Sequence, residues 1–123
     1  MRDWWHWGLG FLAGAAVASW VTLSCAPGSA QSVEVSDALH QAAVARNVSE
    51  AWLRRVTWCE SRWSPWVTSR GGHMGLAQFA GPTWRWMSAQ AGHAGESAYE
   101  PYAAADTLAW GLANGFAGHW SCR

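Results

Sequence analysis

Read for alternating apolar and polar positions, the chain divides into an apolar opening, four helix-like segments and one irregular stretch. The opening runs from Trp7 to about Leu23 with no charged residue. Gln31 to Val35 reads as a short extended lead-in. Ser36 or Asp37 then caps a first helix through Ala38–Asn47, rich in alanine. Ser49 caps a second, Glu50–Ser61, whose Trp52, Leu53, Val56 and Cys59 recur at the spacing of one helical face. Residues 62–79 hold Pro, Ser, Thr and clustered Gly, and read as irregular with a short hairpin at most. Gly81-Pro82 opens a third helix that Gly92 stops. Glu100-Pro101 opens a fourth that ends at Asn114-Gly115. No internal repeat or low-complexity segment interrupts this order, so the expectation is a small, mostly helical domain with one loop-rich lobe.

The opening changes the picture of where the domain begins. Arg2 and Asp3 precede the apolar run, and Pro27-Gly28-Ser29-Ala30 follow it. A charged start, an apolar middle and small residues before a polar segment describe a secretory signal peptide, with cleavage expected between Ala30 and Gln31. An uncleaved membrane anchor stays open, because the run approaches the ~18–20 residues that span a bilayer. So does lipid attachment at Cys25 in Thr22-Leu23-Ser24-Cys25. Residues 1–30 are thus a leader and 31–123 the domain. Removing the leader takes away Cys25 and leaves Cys59 and Cys122, an even count that reads as a disulfide in an exported small domain.

Composition narrows the chemistry. Formal net charge is zero, charged residues are 13% of the chain, and there is no lysine and no basic run. Nucleic-acid binding, which needs a basic face, is therefore disfavoured. Twelve tryptophans in 123 residues exceed what a small core needs, so some are expected on a binding surface. His40, His73, His93 and His119 form no i, i+4 pair, so no metal site is expected and no cofactor is implied. Cys59 falls near a helix C-terminus, the wrong end to activate a nucleophilic thiolate.

Against this sparse charge stands Glu60, in Thr57-Trp58-Cys59-Glu60-Ser61-Arg62-Trp63. It lies seven residues after Leu53, which returns it to within ~20° of the same helical line. At the end of an apolar face, its carboxyl would be partly desolvated and raised in pKa. A carboxyl that keeps its proton near neutrality can serve as a general acid. The alternative is an early helix end and a solvated side chain, and helix geometry alone does not separate the two.

The surrounding residues do more. Glu60-Ser61 is followed by Pro65, Ser69, Gly75-Leu76-Ala77-Gln78-Phe79 and Pro82-Thr83-Trp84. This run resembles the core of soluble lytic transglycosylase (SLT-type) domains in the lysozyme-like superfamily. The closing Trp120-Ser121-Cys122 and the helix after Glu100 resemble the same family, so the likeness spans roughly residues 36–123. It implies an α+β lysozyme-like fold and action on peptidoglycan glycan strands, in a secreted or envelope-associated, monomeric protein. It implies Glu60 as the catalytic acid on the β-1,4 bond between N-acetylmuramic acid and N-acetylglucosamine, with Ser69 and Gln78 near the substrate. Gly75 is expected to keep a turn clear of the sugar and Phe79 to lie in the core. One departure is that Ala104 or Ala105 stands where the family often has Asn. A hydrolytic lysozyme, a resuscitation-promoting-factor-like enzyme and a non-catalytic wall-binding module remain alternatives.

Overall fold

The structure, a computed structural model, describes residues 27–122. Most of the leader, including Cys25, lies outside them. Four helices follow in order: α1 Pro27–Arg46, α2 Glu50–Ser61, α3 Gly81–Ala91 and α4 Pro101–Ala113, with a 3-10 turn at Ala117–His119. Among the described residues there is no strand. The β component is two isolated bridges that pair Met74 with Thr68 on one side and Phe79 on the other. No helix of the described residues is long and apolar enough to cross a membrane.

Three helices begin and end where their local chemistry dictates. The Ser49 hydroxyl accepts from the Trp52 N–H at 3.3 Å and caps α2. Pro82 sits in the first turn of α3, and Gly92 ends it in the left-handed conformation, φ 93°. The Glu100 carboxylate accepts from the N–H groups of Tyr102 and Ala103 and caps α4. Helix α1 differs from the expectation. The stretch 31–35 is helical, not extended, and Ser36 and Asp37 lie inside the helix rather than capping it. The physical reason is that nothing between Gly28 and Ala45 breaks a helix, and Pro27 is well tolerated in a first turn. Val35 also continues the buried stripe Ala38, Leu39 and Ala42 at helical spacing. The Ala30–Gln31 junction therefore falls within α1.

The core forms where α1 lies along α4. Ala103, Ala104, Ala105, Leu108 and Ala109 of α4 are fully buried, and their small side chains let the two helices approach closely. This explains the alanines at 104 and 105: both are core positions here. Two turns beyond Ala104 on α4, a Cβ at Gly111 would meet Met87 Sδ at 2.8 Å and the Trp120 ring at 3.1 Å. That missing side chain makes room for Trp120, which carries the C-terminal tail back onto the domain. On α2 the buried face is Leu53, Val56, Thr57 and Ser61. Cys59, expected on that face, is exposed at its edge, where it bonds Cys122 with a Cα–Cα separation of 5.9 Å.

Candidate active site

Glu60 stands one turn beyond Val56 and Thr57, at the point where the buried face of α2 runs out into a cleft of about 240 Å3. Its carboxyl is half-buried. Burial raises its pKa above a glutamate's ordinary range, against a smaller lowering by the Cys122 backbone N–H and by the nearby His73. The cleft floor is apolar, made by Phe79 and Trp120, and its rim is polar. The two floor rings meet edge to face at 5.7 Å, and the Trp120 indole donates to the Ala77 carbonyl at 2.8 Å. Both partly desolvate the acid and fix the tail that supplies the Cys122 donor.

The loop opposite α2 is held by the residues of the family-like run. Ser61, next to the acid, is buried and donates to Leu76 O at 2.7 Å, tying the end of α2 to the loop. Gln78 lines the cleft in the left-handed region, φ 52°. Its amide nitrogen donates to Gly75 O at 2.8 Å and Val67 O at 3.1 Å, which leaves its carbonyl oxygen for a ligand. Ser69 does not line the cleft. Its hydroxyl accepts from the His73 N–H at 3.1 Å, and its own N–H donates to His73 O. It thereby holds the turn that carries His73 to the cleft.

Gly75 is required for a reason other than a passing sugar. It is buried with φ 72°, and a Cβ there would lie 2.1 Å from the Ala98 carbonyl oxygen. Backbone, not ligand, occupies that space. Gly75→Ala is expected to cost roughly 3 kcal/mol, from a left-handed non-glycine residue plus overpacking. A urea midpoint unchanged from wild type would refute this account.

His73, His119, Thr83 and Ser121 also line the cleft. Thr83 and Ser121 belong to the family-like runs of the sequence, and His73, in its glycine-rich turn, reads there either as bordering the cleft or as an exposed loop histidine. His119 arrives through the tail, and only its closeness to Trp120 hints at it.

Glu60 is the one carboxyl lining this cleft among the described residues. The other acids after it are committed elsewhere. Glu100 caps α4. Asp106 accepts from Arg46 at 2.8 and 2.6 Å and meets His93 Nε2 at 2.7 Å. Burial alone would raise the Asp106 pKa, but Arg46 and His93 outweigh it and hold the carboxyl below its usual value. Glu96 pairs with His93 Nδ1. Burial alone would lower the His93 pKa, but the two carboxylates outweigh it and raise it. Among the described residues no group of three or more His, Cys, Asp or Glu is arranged to hold a metal.

A small helical domain with a half-buried carboxyl in a polar-rimmed cleft is compatible with the lysozyme-like class, to which the family match assigns it. More particularly, the profile of the transglycosylase SLT domain matches residues 37–117, and the chain belongs to that family. No curated protein and no solved structure matches it. Membership supports a peptidoglycan-cleaving function of the lytic transglycosylase type, exercised in the cell envelope where such domains act. The Cys59–Cys122 disulfide is compatible with an extracytoplasmic setting.

Proposed function

We propose that the protein is a lytic transglycosylase that cuts the bond between N-acetylmuramic acid and N-acetylglucosamine with Glu60 as its single catalytic carboxyl. The observation that carries the reading is the pairing of a half-buried Glu60, raised in pKa, with a cleft lined, among the described residues, by no second carboxyl. Glycosidases that work by hydrolysis ordinarily need two, one as acid and one as base or nucleophile. With one, the substrate must supply the rest. Glu60 gives its proton to the bridging oxygen as the C1–O bond breaks, and the muramyl N-acetyl oxygen closes on C1. The resulting carboxylate then takes the proton of the muramyl C6 hydroxyl, whose oxygen displaces the acetamido oxygen from C1. The product is a 1,6-anhydro ring, and no water is consumed. In this reading Gln78 offers its carbonyl oxygen to a sugar hydroxyl or amide, and Ser69 acts as a positioning residue through the His73 turn. The leader delivers the domain across the membrane.

The test is the mass of muropeptides released from purified peptidoglycan. Anhydro-muramyl ends are expected, lighter by one water than hydrolysis products. Reducing ends alone would mean a lysozyme-type hydrolase whose water is held by a group other than a second carboxylate of this cleft.

A further inference from the structure

The face of α2 turned away from the core carries a patch that the cleft chemistry does not use. Ala51, Arg54, Arg55 and Trp58 follow one another at positions i, i+3, i+4 and i+7, a single stripe. Trp58 and Glu60 are two residues apart, about 200° around the helix, so the stripe and the catalytic carboxyl lie on opposite sides of it. The loop after α2 adds Arg62, Trp63 and Trp66. Trp58, Trp63 and Trp66 are 46%, 39% and 52% exposed, a large outlay of apolar surface for a small domain.

Two observations decide what this face is suited to meet. A glycan's hydroxyls need acceptors as well as donors, and none of Arg54, Arg55, Trp58, Arg62, Trp63 and Trp66 carries a side-chain acceptor. The Trp63 indole N–H is given to Arg54 O at 3.1 Å, and the Arg54 guanidinium to Glu50 and Ser36. What remains is flat aromatic surface and cationic charge. Arg62 lies over the Trp58 ring at 5.0 Å, and among the described residues neither Arg55 nor Arg62 meets a carboxylate. The second observation is position. Trp63 and Trp66 share a hollow of about 450 Å3 with Val35 and Ser36, in the first half of α1. The patch thus adjoins the helix into which the apolar 7–23 sequence leads.

We infer that the Trp58–Trp63–Trp66 face, with Arg55 and Arg62, is a docking surface for an anionic phospholipid membrane. Indole rings favour the level of the headgroups, and guanidinium groups pair with their phosphates. Each basic residue near such a surface strengthens binding roughly fivefold. Seated this way, the domain turns its cleft away from the bilayer and toward the wall. The inference does not rest on the cleft chemistry: Glu60→Gln protein is expected to bind vesicles as wild type does.

The test is co-sedimentation of the full chain with phosphatidylglycerol-containing vesicles and with pure phosphatidylcholine vesicles. The apolar leader can partition into both, so the readout is the preference for the anionic ones. Arg55→Glu is expected to lower that preference about tenfold or more, Arg55→Lys to retain most of it, and added salt to weaken it in wild type. Trp66→Ser is expected to weaken anionic binding severalfold. Both positions are exposed, and circular dichroism checks the fold. Unchanged anionic preference in Arg55→Glu and Trp66→Ser would overturn the inference. So would variants that keep vesicle binding but lose pelleting with insoluble peptidoglycan, which would make the face a glycan platform.

Discussion

Glu60→Gln should reduce wall degradation by ~10²- to 10⁴-fold, the usual cost of removing a general acid. The amide keeps the side chain's shape and can still accept the Cys122 N–H, but it has no proton to give. Zymography on peptidoglycan reads the loss, and circular dichroism verifies the fold. Near-wild-type clearing would mean that a group other than Glu60 supplies the proton, whereas wild-type protein that clears nothing would return the domain to a wall-binding module.

The same variant carries a second signature, in stability. The carboxyl's pKa is raised in the folded state, mainly because burial penalises its charged form. The folded protein therefore holds this proton more tightly than the unfolded chain, and ionisation works against the fold. The sign follows from linkage. The penalty is absent below the ordinary glutamate range, grows as pH rises through the raised value, and persists above it. Gln does not titrate, so Glu60→Gln should gain in melting temperature relative to wild type as pH rises from acid to neutral. A relative loss over that window would mean the carboxylate is welcome in its site and is not a poised acid. Wild-type activity should likewise fall as pH climbs past the raised value, since the acid must start protonated.

How much of this could be read from the sequence depended on how local each cause was. Helices α2, α3 and α4 were legible because their boundaries are written in caps: Ser49, Pro82 with Gly92, and Glu100 before Pro101. Glu60's position on the apolar line of α2 was legible from the same 3.6-residue period. The start of α1 was not, because Pro27-Gly28 reads equally as a turn or as a helix's first residues, and the burial of Val35, which extends the stripe of Ala38, Leu39 and Ala42, is a tertiary fact. Asp106 illustrates the limit most plainly. Its place early in α4 suggests a charge that suits the helix dipole. Its pairing with Arg46, sixty positions earlier, exists only once α1 lies along α4. Ser61 and Gly75 belong to a readable run of residues, yet their reasons, a bond to Leu76 O and the nearness of Ala98 O, are tertiary.

The C-terminal tail is the largest case of this kind, and it lies beyond the segment that matches the family. His119, Trp120 and Ser121 line the cleft, and the Cys122 N–H meets the Glu60 carboxyl. Two independent ties hold the tail there: the Trp120 anchor on Phe79 and Ala77 O, and the disulfide to Cys59. The disulfide closes a sequence separation of 63 residues. By the chain-entropy argument, opening it should cost about 4 kcal/mol. That is a large share of the 5–15 kcal/mol typical of a whole domain. Replacing both cysteines by serine should therefore lower the urea midpoint sharply. Wall-cutting activity should fall even at temperatures where the variant remains folded. Trp120 can stay seated through its own contacts, but nothing then fixes the backbone two residues on, so the Ser121 part of the cleft lining and the Cys122 backbone beside Glu60 are loosened while the acid itself remains. The expected loss is smaller than that of Glu60→Gln, and the part of it that acts through Glu60 should not add when the two are combined. Denaturation curves and zymography of the single, double and combined variants measure both effects. An unchanged midpoint with unchanged activity would show that Trp120 alone suffices to close the cleft.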